Sequence, residues 1–261
     1  LRGILRRSGA ELSAHQTISA ELDTWGSIAQ LAAEYETLAA AAQRPRWIAA
    51  VHDSSLTTDE ADNAIDSTAF GPLTALLRRI EAFGGDPEQL LQEAARRRSL
   101  ADADDIAAVL VHRLHQLEPS AGSGREDVDL IAGLIPAVGE VDDPEMREAL
   151  DERRELIEQR AANLAAEALR SRAPWLRRLG AQPVESQQQL RWQQHLATVA
   201  AYRDRYGINS VRPIGDRPES SAQQTDACLA RTAWRCAVRL SPPIAIESST
   251  GPRSHAHAVE M

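Results

Sequence analysis

The 261-residue sequence contains no lysine: all 29 of its basic side chains are arginine. No P-loop of the GxxxxGK[ST] type can exist without lysine, and no GxGxxG segment occurs either, so the usual means of gripping nucleotide phosphates are missing. Aromatic residues make up only 4% of the chain, and β-branched residues are sparse. No run alternates apolar and polar residues long enough to argue for a sheet. Two cysteines, Cys228 and Cys236, exclude a disulfide framework, and their spacing is not that of a CxxC motif. No apolar run approaches the ~20 residues of a membrane span. The opening LRGILRR is too short for a signal peptide. No GxSxG elbow is present, so nucleophilic catalysis has no support. These absences predict a protein without membrane insertion in a reducing cytoplasm, with no catalytic residue, no cofactor and no metal in this chain. The first residue is Leu1, which leads us to expect a fragment of a longer protein or a chain begun at an unusual codon.

What is present reads as helix. Ala, Leu, Glu, Gln and Arg dominate, all good helix formers. The hydrophobic fraction of 43% is that of a globular protein. Helix starts are well marked. Capping boxes occur at Ser13–Gln16 and Thr57–Glu60, Asp-Pro starts at Asp86-Pro87 and Asp143-Pro144, and a further cap at Ser186. Apolar residues recur at one-face spacing from Ile28 to Ala42, with Pro45 expected to end or kink that helix and a short helix at Trp47, Ile48 and Val51 to follow. Further helices are expected around Phe70–Ile80, Ile106–Leu114, Met146–Ala168, Trp192–Tyr206 and Ser221–Leu240. The fold class expected is all-α, with two helical subdomains, a Pro/Gly-containing acidic linker and a disordered C-terminal tail. The divisions are 1–117, a linker or long loop at 118–142, 143–218, and a short helix with tail at 219–261. Leu130, Ile131, Leu134 and Ile135 in the linker could dock on a helix.

Charge is uneven within a net of -9. The first half is acidic, and 170–217 reverses sign, with nine arginines against Glu185, Asp204 and Asp216. Trp175, Trp192, Tyr202 and Tyr206 are interleaved with them. Arginine makes bidentate phosphate contacts and aromatic rings stack on bases, a combination suited to single-stranded nucleic acid. Arg177, Arg178, Arg191, Arg203, Arg205 and Trp175 are the candidate nucleic-acid-binding residues. The plainer account carries more weight: Trp192 and Tyr206 share the apolar face of Leu196 and Val199, and the arginines pair with the acidic helix or the acidic first half. His112 and His115 lie three apart on a helix without a third ligand, so a solvated or capping role is expected. His255 and His257 carry still less. Asp102, Asp104 and Asp105 read as helix-cap residues rather than paired catalytic acids.

Three stretches carry a resemblance. They are 26–43 (GSIAQLAAEYETLAAAAQ) with Arg46-Trp47; 69–73 (AFGPL) with 102–110 (DADDIAAVL); and 174–180 (PWLRRLG) with 198–208 (TVAAYRDRYGI) and 212–215 (RPIG). In order and spacing the chain from about residue 1 to residue 225 resembles the C-terminal part of actinobacterial conjugative relaxases of the TrwC/TraI (MobF) type. Such proteins join a DNA-nicking relaxase domain to a helicase part. Neither the histidine cluster nor a Walker motif of those parts is found here, so no catalytic residue carries over. The resemblance implies a non-catalytic helical part of a plasmid-transfer machine, a docking or DNA-supporting module. Its partners would be single-stranded DNA or conjugation coupling and transfer proteins. The alternatives are a stand-alone helical single-strand-binding module and a protein–protein adaptor.

Overall fold

The computed structural model describes residues 26–100, 102–117, 129–139 and 141–242. Among them are eight α-helices, one 3-10 turn and one small hairpin. The order is α1 (Ile28–His52), α2 (Thr58–Asp66), α3 (Phe70–Ala82), α4 (Pro87–Arg96), α5 (Ile106–Leu117), β1 (Leu130–Ile131), β2 (Ile135–Pro136), α6 (Pro144–Arg170), the turn Pro174–Leu176, α7 (Ser186–Arg205) and α8 (Ser221–Leu240). The protein is mostly helical, as its composition implies. The Ser13 cap and the expected tail fall outside the described residues.

Caps fix several of the starts. Thr57 and Glu60 exchange hydrogen bonds in a full capping box. Asp86 and Asp143 each accept first-turn amides ahead of a proline, which has no N–H to leave unpaired. At α7 the structure corrects the sequence reading: the cap position is Glu185, not Ser186, and no side chain bonds a free amide there. Pro45 does not end the first helix, which runs on to His52. Proline removes one backbone bond and crowds the preceding turn, but Trp47 and Val51 beyond it are both 0% exposed. Their burial holds the second half of the helix on the same face as the first.

The core has three parts. The first gathers Trp47, Phe70, Leu73, Leu77, Leu91, Leu110 and Leu114 from α1 to α5. The second joins Ile28, Tyr35 and Ala39 of α1 to Ile131, Leu134 and Ile135 of the hairpin, Ile157 of α6 and Tyr202 of α7. The third packs the end of α6, the 3-10 turn, α7 and α8 around Trp175, Trp192 and Leu196.

The N-terminal half of α1 packs in the core shared with α6 and α7, and its C-terminal half in the core shared with α2 to α5. The Ile28 N–H donates to Asp204 Oδ2 at 2.7 Å, and the same carboxylate meets Arg160 at 3.0 Å, tying α1, α6 and α7. Residues 129–139 are no linker. They form an antiparallel hairpin with Ile131 opposite Ile135, buried against helices as its apolar residues allow. The hairpin turn needs Gly133: its φ is +71°, and a Cβ there would strike the Thr198 side chain. Asp129 N–H donates to the Ala82 carbonyl, and Val138 N–H to Tyr35 Oη at 2.8 Å. Helix α8 is likewise integral, with Ala227, Ala230, Ala233 and Ala237 buried.

Candidate nucleic-acid interface

Three segments of this chain contain no acidic residue at all: 170–184, 186–203 and 227–242. They hold nine arginines between them, namely Arg170, Arg172, Arg177, Arg178, Arg191, Arg203, Arg231, Arg235 and Arg239. The third core brings these segments to one end of the bundle. Trp192, 1% exposed, donates its indole N–H to Ser241 Oγ at 2.9 Å, fastening α7 to the end of α8. Gly180 lets the preceding turn close against the same place, since a Cβ would lie 2.8 Å from Ser241 Cβ.

The six sequence candidates divide into two equal sets. Arg177, Arg178 and Arg191 are exposed and make no ion pair among the described residues. Arg203, Arg205 and Trp175 are instead enclosed by the fold. Arg203 is 9% exposed. One of its terminal nitrogens donates to the carbonyls of Arg212 and Pro213 at 2.7 and 3.1 Å; the other donates to those of Ile208 and Ser210, both at 2.8 Å. Its guanidinium lies 5.0 Å from the centre of the Trp175 ring. Arg203 therefore staples the 208–213 loop, and burial lowers its pKa from the ordinary arginine value. Arg205 is held by Glu36 at 2.9 Å and Asp226 at 3.3 Å, and Asp226 also accepts from Tyr206 Oη at 2.7 Å. Burial raises the pKa of Asp226, against the lowering pull of Arg205 and the Tyr206 hydroxyl. Trp175 is 8% exposed and packs on Trp234 at a centroid distance of 6.3 Å.

Three members of this end lie beyond the 170–217 segment, on α8, and a fourth, His195, lies within it. Arg235 and Arg239 are exposed on α8, and Trp234 is partly exposed between them and Trp175. His195 sits one turn after Arg191 on α7. Its pKa is lowered first by burial and then by Arg239 and Arg191, which places like charges of two helices around one imidazole. The missing signal was the acid-free run 227–242, legible by charge alone. Arg239 also donates to Cys236 Sγ at 3.0 Å. Leu190, 57% exposed, and Val238, 39% exposed, stand beside these arginines.

The remaining candidates are local structure. Asp105 accepts from Ala108 N–H at 3.0 Å and Ser67 Oγ at 2.8 Å, bonds that lower its pKa, as a helix cap should. His112 pairs with Gln116 at 2.9 Å. Among the described residues no three His, Cys, Asp or Glu side chains are grouped to hold a metal. No helix among them is long and apolar enough to cross a membrane. His255 and His257 lie outside the described residues. No protein-family model, no curated protein and no solved structure matches the chain.

Proposed function

We propose that this chain is a non-catalytic helical module of a DNA-processing protein of the conjugative relaxase type, and that it supports single-stranded DNA on its arginine end. The observation that carries the reading is the convergence of three acid-free segments on one core. Exposed guanidinium groups without carboxylate partners attract phosphates, and the counterions released on contact drive binding. Trp234 is partly exposed at this end and is the aromatic side chain on which we expect an unstacked base to stack. The sequence likeness described above supplies the biological setting.

Fluorescence anisotropy with a labelled oligonucleotide tests it. Binding should fall steeply with salt. Replacing Arg177, Arg178 and Arg191 by glutamine removes three phosphate contacts and should reduce the slope of log K against log salt by about 2 units. No binding at low salt would reject the proposal. A docking role toward a transfer protein is the second reading, favoured by exposed Leu190 and Val238 among the arginines. In that case the triple substitution leaves oligonucleotide binding negligible throughout and weakens capture of the purified coupling protein.

A further inference from the structure

On α7, His195 follows Arg191 by four residues, so the two side chains lie one turn apart on the same face, with about 5–6 Å between their Cβ atoms. Helix α8 adds Arg239 from across the interface. The crossing of the two helices is fixed by Trp192, whose indole N–H reaches Ser241 Oγ at 2.9 Å, while Ser241 in turn donates to the Ala237 carbonyl at 3.0 Å. Trp192 is next to Arg191 in the chain, and Ser241 stands two residues past Arg239. One hydrogen bond therefore pins the carriers of both arginines.

Among the described residues no carboxylate pairs with Arg191 or Arg239, and both are exposed. Arg239 gives one terminal nitrogen to Cys236 Sγ at 3.0 Å, which leaves its other donors unspent. His195 is half-buried, and its ring nitrogens are neither enclosed nor hydrogen-bonded among the described residues. The charges that act on it are of one sign: Arg191 from its own helix and Arg239 from α8, with Arg235 one turn further back. On the other elements of this core, the Pro174–Leu176 turn has no charged residue, and Glu167 and Arg170 at the end of α6 pair with each other. Burial first, and then the two arginines, hold the imidazole below the ordinary histidine range, so at neutral pH the ring is uncharged.

We infer that Arg191, Arg239 and His195 form one phosphate seat across α7 and α8, and that a phosphodiester entering it is bound together with a proton on the imidazole. The two guanidinium groups offer forked donors to phosphate oxygens. The anion offsets the repulsion that keeps the proton away, and the protonated ring donates from both nitrogens. Proton and phosphate each tighten the binding of the other, by the same factor. The occupied chain holds more protons than the empty one, so affinity rises as pH falls. The inference rests on the single-strand reading of the arginine end and adds to it a place where the strand is gripped harder in acid.

Proton NMR of the His195 ring and fluorescence anisotropy test it on the whole chain. The NMR probe is thymidylyl-thymidine, whose one diester keeps its charge throughout the window in which histidine titrates. It should shift the ring resonances saturably and move the His195 titration midpoint upward. Anisotropy with a labelled oligonucleotide at constant low salt should show affinity rising about fivefold from about pH 8 to about pH 5.5, the surplus of a charge-assisted hydrogen bond over a neutral one. His195→Gln should abolish that rise. His195→Arg, charged throughout, should bind at the upper pH as tightly as the parent does at the lower one. An unmoved midpoint, or oligonucleotide binding that is equal at both pH values or still rises in His195→Gln, overturns the inference and leaves the proposed function standing. No oligonucleotide binding at either pH rejects the proposed function; a midpoint raised by the dinucleotide then assigns the seat to a small phosphate ester, and an unmoved one overturns the seat as well.

Discussion

Arg203 and Arg191 lie twelve residues apart on one helix and should fail in opposite ways when replaced. Arg203→Met keeps the stem and removes four charge-assisted hydrogen bonds to the carbonyls of Ile208, Ser210, Arg212 and Pro213. Such bonds contribute about 1.5–3 kcal/mol each when taken singly. They are not additive here, because the freed carbonyls sit in a part-exposed loop and can take up water, and because the buried guanidinium no longer needs desolvating. The contact with Trp175 adds about 0.5–1 kcal/mol. A net loss of about 3 kcal/mol follows, which for a chain of this size lowers the melting temperature by roughly 6–12 °C. Proteolysis should then cut first within 207–217. Oligonucleotide affinity, measured well below the new melting temperature, should keep its salt slope. Arg191→Gln should do the reverse: melting unchanged, slope reduced by about 0.7. If Arg203→Met melts like the parent and loses the salt slope, the assignment of Arg203 to the loop is refuted, and with it the division of the six candidates.

Other expectations come from the turns, the caps and the tyrosines. Gly133→Ala should cost about 2–3 kcal/mol, from its positive φ and the Thr198 side chain in the path of the new methyl group; Gly207→Ala, at φ +60° in open space, should cost only about 1 kcal/mol, so equal urea midpoints would contradict the packing of the hairpin. Thr57→Ala should cost about 1 kcal/mol by breaking the capping box, read as faster amide exchange in the first turn of α2. Tyr35, Tyr202 and Tyr206 all have raised pKa values, burial being the largest cause at each. Above the unfolded pKa near 10 the unfolded chain releases these protons and the fold retains them, so the native state binds more protons and stability falls as pH rises. Each tyrosine that keeps its proton in the fold adds at most about 1.4 kcal/mol per pH unit to that slope. Tyrosinate absorbance and circular dichroism should therefore change together; reversible tyrosine ionisation near pH 10 with unchanged helicity would refute it.

Much of the helical order is legible because the chain announces it chemically. Asp143-Pro144 marks a helix start, since the aspartate accepts the amides of Glu145 and Met146 and the proline has no N–H to leave unpaired. The Ser221–Leu240 span follows from spacing alone. The helix passes through Pro45 because burying Trp47 and Val51 outweighs the local cost of the proline, a tertiary gain that local sequence does not display. The hairpin was invisible for a different reason: strands of two residues are too short for any alternation to register. Its aliphatic residues are readable as a patch that docks on a helix, but which helices cover it is not. At the arginine end, residue type could not separate Arg203 from Arg191. Position could have. Trp192, Leu196, Val199 and Arg203 recur at intervals of four, three and four, so Arg203 falls on the buried face, and Arg191 falls beside it on the solvent face.

That sorting bears on how an acidic protein could hold a polyanion. The net charge of -9 would by itself oppose DNA. Yet several of the arginines within the fold are matched to carboxylates: Arg46 to Glu81 and Glu88, Arg153 to Glu34, Arg160 to Asp204, Arg205 to Glu36 and Asp226. The exposed ones at the start of α7 and the end of α8 have none of these acids in their own segments. Screening confines each surface charge to about 8 Å at physiological salt, so acids farther off along the bundle repel a strand at that end only weakly. At low salt the reach lengthens and the acidic body begins to act. The expected consequence is directional: a strand, if held, would be steered onto one end and away from the sides. An isolated arginine-rich patch would lose affinity monotonically as salt rises. This charge-divided molecule should instead show its salt dependence flatten at the lowest ionic strengths, where repulsion by the acidic body offsets part of the attraction at the arginine end.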